Sequence, residues 1–121
     1  MWYCVHAILY FEYKDGNQGD YVVWEHLYLI KADNPQEAGD KGKIRAKQDE
    51  GDSSGGLTVN ERPARLKYAG IRKIVDCQDL DMHTMLPTDG TELSYSELIV
   101  ESPDEFEKLI SGDPAAIIYN E

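Results

Sequence analysis

The stretch WYCVHAILYFEY, residues 2–13, decides the fold, because it is rich in aromatic and β-branched residues and contains neither Gly nor Pro. That composition predicts a long β-strand. A cluster of turn-forming residues, KDGNQGD, follows at 14–20,. Residues 21–32, YVVWEHLYLIKA, have the character of a second strand. Together the three segments predict an antiparallel β-hairpin.

Two helix starts lie further along the chain. Asn34 or Asp33 caps a helix that has Pro35 in its first turn and is expected to run to about Gln48,. Ser102-Pro103-Asp104-Glu105 forms a capping box for a second helix, which should end at Gly112,. Ala38, Gly42 and Ala46 recur at four-residue spacing and predict a close approach of the first helix to the sheet,.

Between and after the helices, short apolar segments predict further strands at 57–59, 66–77, 91–100 and 115–119, with irregular structure at 78–90,. The order ββα-βββα(β) predicts one α+β domain over residues 1–121. It consists of an antiparallel sheet of four to five strands with two helices packed on one face.

The formal net charge of −11 is concentrated in the last third of the chain. Residues 1–75 contain 11 acids and 11 bases, whereas residues 76–121 contain 12 acids and Lys108. This balance disfavours nucleic acid and anionic membrane surfaces as partners. Residues 41–73, with nine bases and four acids, leave open a local basic stripe or a helix face that balances the acidic third,. The acidic third either steers a basic protein partner or keeps the protein soluble.

No apolar run approaches the ~18 residues of a membrane helix, and no basic segment precedes the N-terminal apolar stretch,. We therefore expect a cytoplasmic protein with no membrane span. Cys4 and Cys77 are too few for a disulfide scaffold and are expected to be reduced thiols,.

Alternation along the hairpin assigns side chains to two faces. With an even register sum, one face is an aliphatic core that includes Val5, Leu9, Val23, Leu27 and Leu29. The other face is then aromatic and carries Trp2, His6, Tyr10, Trp24, His26 and Tyr28. A second copy, the monomer's own segments at 78–95 and the C-terminus, or a ligand or partner would cover it. An odd register would mix the two sets.

No catalytic signature stands out. His6 and His26 would need a third group, Glu12 or Cys4, to hold a metal or exchange a proton, and two histidines in a hydrogen-bonded aromatic surface are the simpler interpretation. Aspartates around Cys77 should raise its pKa. The set Asp76, Asp79, Asp81 and His83 lacks the glycine and terminal glutamate of a calcium loop,. We expect no cofactor and no metal site.

Several segments resemble a family of small bacterial proteins known only as a domain of unknown function. They are the Trp2-Tyr3 start, the strand EHLYLI at 25–30, the helix opening ADNPQEA at 32–38 and the strand YAGIRKI at 68–74. The likeness covers about residues 2–76 and extends more loosely to the C-terminal Gly112 and the IIY strand at 117–119. It implies a small cytoplasmic α+β domain and supplies no activity.

Two hypotheses about function follow. The first is a non-enzymatic protein-interaction module, accessory or immunity-like, which binds a second copy or another protein through the aromatic hairpin face or the acidic third. The second is a small-molecule binder or minor enzyme with a pocket on that face, where His6 and His26 would be polar anchors.

Overall fold

The structure is a computed structural model that describes residues 1–77 and 86–120. Its elements are β1 (Trp2–Tyr13), β2 (Val23–Lys31), α1 (Pro35–Gln48), β3 (Thr58–Val59), β4 (Arg62–Asp76), β5 (Glu97–Ile99), α2 (Pro103–Ser111) and β6 (Ile118–Asn120). The first four strands form an antiparallel sheet in the order β2-β1-β4-β3, and β5 pairs with β6 in a separate sheet. The α+β class and the predicted element order are confirmed.

Both helices begin where the sequence predicts. The backbone N–H of Glu37 donates to the side chain of Asn34, at 2.8 Å, so Asn34 is the cap of α1. The N–H of Glu105 donates to Ser102 Oγ, at 3.2 Å, and α2 ends at Gly112 in the left-handed conformation, φ 83°.

Helix α1 packs on one face of the sheet through its small residues. Ala38, Gly42 and Ala46 are its buried residues, as their spacing predicts. A Cβ atom added to Gly42 would lie 2.6 Å from Val5 Cγ1, so helix and strand are in backbone-to-side-chain contact there. We call this side of the sheet the helix face and its reverse the open face.

The hairpin register is odd, which corrects the expected division of its side chains. Val5 pairs with Tyr28 and Leu9 with Trp24, so odd positions of β1 share a face with even positions of β2. The expected core is right for β1, where Val5 and Leu9 are fully buried, and wrong for β2. Val23, Leu27 and Leu29 of β2 lie on the open face and are 50%, 50% and 37% exposed.

Strand β4 contains two irregularities that set which of its side chains reach the open face. Its register against β1 shifts between His6 and Ala7 and again between Ile8 and Leu9. The first shift makes Arg72 the extra residue of a bulge, between Ile71, which pairs with Ala7, and Lys73, which pairs with His6. A bulge of this kind re-aims neighbouring side chains. As a result, both cations contact groups on the open face.

The C-terminal part differs from the expected pattern in extent. The strand predicted at 91–100 is confined to Glu97–Ile99, because residues 94 and 95 bond to side chains of the sheet instead of to a neighbouring strand. None of the residues of α2 is buried. In the described ranges, neither helix combines the length and apolar character needed to span a membrane. The residues expected to be irregular at 78–85 lie outside the described residues.

Candidate functional site

A buried histidine on the open face marks the candidate site. His6 is 2% exposed, whereas the other buried side chains of the described residues are aliphatic, Phe, Tyr or Cys. Its Nδ1 lies 2.7 Å from Glu25 Oε1, and its Nε2 contacts Ser94 Oγ. Both ring nitrogens therefore have oxygen partners, one a carboxylate and the other a hydroxyl. This arrangement orients the imidazole and fixes which nitrogen faces the hydroxyl.

Glu25 is held in its ionised form by two donors. Arg72 donates to both carboxylate oxygens, at 2.5 Å from Nε and 3.0 Å from Nη2. Burial alone would raise the pKa of Glu25, but the hydrogen bonds from Arg72 and His6 outweigh it and hold the pKa below its ordinary value,. The guanidinium also lies over the ring of Tyr119 and donates to its hydroxyl at 2.7 Å.

Residues 94–96, which precede β5, complete the site by contacting the open face of the sheet. Lys73 Nζ donates to the carbonyl of Tyr95, at 2.6 Å, immediately after Ser94. Ser96 Oγ lies 2.7 Å from the Tyr119 hydroxyl. Cations of β4 thus fasten residues 94–96 and β6 to the open face, so the monomer itself covers the part of that face around His6.

Beside Ser94 lies a cleft of about 1000 Å³ along the outer edge of β4. Its charged lining residues are Lys73, Asp76, Glu92 and Glu97, and both Ser94 and Ser96 face it. The lining therefore has more negative than positive groups. A molecule that enters the cleft would therefore lie beside Ser94.

The two cysteines flank this site and are unreactive. Both are buried free thiols. Burial, followed by the nearby Cys77, raises the pKa of Cys4 to about 11. The pKa of Cys77 is raised by burial and then by Asp76, in the direction that its neighbours predict. Raised pKa values favour the neutral thiol of both cysteines over the nucleophilic thiolate,.

Three residues of the predicted aromatic surface lie on the opposite face from His6. Trp24, His26 and Tyr28 are on the helix face, because His26 pairs with Ala7. The Tyr28 hydroxyl donates to Asp49 Oδ2 at 2.6 Å, and His26 Nδ1 lies 2.9 Å from the same hydroxyl. Burial, reinforced by Asp49, raises the pKa of Tyr28 to about 12.

The six predicted binding residues therefore do not form one surface. Trp2, His6 and Tyr10 lie on the open face by their position in β1. His6 and His26 cannot act as a pair, since they lie on opposite faces. Glu12 was one of the partners expected for His6. The carboxylate that contacts His6 is instead that of Glu25, and only an odd register places Glu25 on the same face.

Three residues of the site were not predicted from the sequence: Glu25, Arg72 and Ser94. Gly70, next to the bulged part of β4, is a signal that was available, since an isolated glycine in a strand often marks a bulge,. Nothing in the sequence around Ser94 points to a contact with His6, 88 positions away.

A family model described as a domain of unknown function (DUF4288) matches residues 2–94. The matched region contains His6, Glu25 and Ser94. No curated protein and no solved structure matched the chain. The chain belongs to the DUF4288 family.

Proposed function

We propose that this family member is a protein-interaction module that binds a second copy of itself through the outer strand β2. The observation that carries the proposal is the exposure of Val23, Leu27 and Leu29 in a strand at the edge of the sheet. The backbone groups on the outer side of an edge strand are a template for pairing with another chain. Leu and Val side chains beside that edge would then be buried across the interface.

The local charge of β2 is compatible with a second copy as the occupant. Two chains of net charge −11 repel each other unless the contact avoids the acidic residues,. Residues 1–75 are neutral in sum, and the one acid of β2, Glu25, is paired with Arg72. An antiparallel β2–β2 contact would be isologous, as most dimers are.

The test is the mass in solution by light scattering, for the wild type and for two matched variants. Leu27→Asp places a charge in the proposed interface, and Leu109→Asp makes the same change on α2, at a residue 37% exposed. We expect twice 13.7 kDa for the wild type and for Leu109→Asp, and 13.7 kDa for Leu27→Asp. Salt should not weaken the dimer, since the interface is apolar and screening reduces the repulsion between the two acidic chains,.

Either of two results would overturn the proposal. A monomeric wild type would exclude self-association. A dimer that Leu109→Asp splits and Leu27→Asp leaves intact would place the interface on α2, where Phe106 and Ile110 are also exposed among acidic residues.

A further inference from the structure

The contacts of His6 have the connectivity of a nucleophile, a base and an orienting carboxylate. Ser94 Oγ contacts Nε2, and Glu25 Oε1 lies 2.7 Å from Nδ1 on the opposite side of the ring. In such an arrangement the carboxylate fixes the imidazole tautomer, so that Nε2 can accept the hydroxyl proton. The three residues come from β1, β2 and the segment before β5, and the grouping is defined by geometry, not by sequence order.

The difference in exposure between His6 and Ser94 distinguishes this arrangement from that of an ordinary buried histidine. His6 is shielded, whereas Ser94 lines the cleft at the edge of β4. The base is therefore kept from solvent, while the serine lies at the wall of a space large enough for a small ligand,. Lys73 is the cation among the residues that line this cleft, and its ammonium donates to the carbonyl of the residue after Ser94. A positive charge in that position can stabilise an oxyanion.

We propose that Ser94 and His6, oriented by Glu25, form an acyl-transfer site for small uncharged or cationic esters. Ser94 Oγ forms a bond to the ester carbonyl carbon while its proton moves to His6 Nε2. The bond to the alcohol oxygen then breaks, and the alcohol takes the proton from Nε2. Water repeats the two steps and releases the acid. Asp76, Glu92 and Glu97 in the cleft disfavour anionic esters.

The test is covalent labelling with a small uncharged alkyl fluorophosphonate, followed by intact mass and peptide mapping. The probe forms an O–P bond with an activated serine hydroxyl and releases fluoride, while the proton passes to the base. We expect one label, at Ser94, and no label in Ser94→Ala. Ser111→Ala is the matched control, since Ser111 is an exposed serine at the end of α2 that bonds to Lys108 and Asp113 and does not line the cleft.

Glu25 acts through His6 and is therefore a positioning residue. Its variants test the arrangement of Ser94, His6 and Glu25 while leaving the buried imidazole of His6 in place. Glu25→Gln should slow labelling at least about tenfold, because loss of the carboxylate disturbs the tautomer. Glu25→Asp, which keeps the charge, should recover part of the rate, with circular dichroism unchanged in both. An unlabelled Ser94 in the wild type, or equal labelling rates in the wild type and Glu25→Gln, would overturn the proposal.

Discussion

The two faces of the sheet are stabilised by different interactions, although β1 contributes side chains to both. On the helix face, α1 presents Ala38, Gly42 and Ala46 to fully buried apolar residues of β1, so the contact depends on shape. On the open face, His6 is surrounded by charged and hydroxyl groups, and apolar side chains of β2 remain exposed. Packing stabilises the first face, whereas the second relies on polar partners and leaves apolar side chains exposed.

The largest expected effect contrasts one leucine from each face. Leu9→Ala should destabilise the protein by about 3 kcal/mol, because Leu9 is 0% exposed and its removal leaves a cavity,. Leu27→Ala, at a residue 50% exposed, should lower the free energy of unfolding by less than about 1 kcal/mol,. Urea unfolding at low protein concentration measures both. Equal losses would mean that the faces do not differ in this way.

A second contrast lies within α1 and tests close packing directly. Gly42→Ala would push a Cβ atom against Val5 and should destabilise by about 2 kcal/mol, despite the higher helix propensity of alanine,. Gly39→Ala is the control, since its Cβ would meet only the end of the Ile74 side chain, at 3.2 Å. There the gain in propensity, up to about 1 kcal/mol, should leave the protein as stable or more so. Thermal unfolding of the two variants separates packing from propensity.

The helix face was largely predictable, because its signals are local. Asn34-Pro35 fixes the start of α1, and the four-residue spacing of Ala38, Gly42 and Ala46 identifies the side that meets the sheet. The open face was not predictable, because the register of the hairpin decides which side chains lie on it. The long connection between β1 and β2 does not fix that register. Tyr10 pairs with Val23 across a turn-rich segment that would permit either parity,. One step in register moves Glu25 next to His6 and separates His6 from His26.

The polar contacts of the open face should weaken in acid. The pKa of Glu25 is lowered in the folded state, so its contribution to stability is present above its unfolded pKa and is lost as the pH falls through the folded value,. Glu25→Gln should lower the free energy of unfolding by about 1 kcal/mol at neutral pH, because two donors lose a charged acceptor. The gap to the wild type should close in acid. A constant gap from neutral to acidic pH would contradict this linkage.

The polar contacts of the helix face should instead weaken in alkali, which gives the two faces opposite pH signatures. Tyr28 has its pKa raised to about 12, because burial and the neighbouring Asp49 disfavour the phenolate. A raised folded pKa means that the stabilisation is complete below the unfolded value of about 10 and is lost as the pH rises through the folded one.

Tyr28→Phe removes the hydrogen bond to Asp49 and should cost about 0.5–1 kcal/mol at neutral pH,. Its difference from the wild type should shrink above the unfolded pKa of tyrosine, whereas that of Glu25→Gln should stay constant there. Urea unfolding at neutral and alkaline pH measures both, and Tyr21→Phe, at an exposed residue, is the control. If both differences shrank in alkali, a general loosening of the fold would explain the change, and Tyr28 would not be the group that responds.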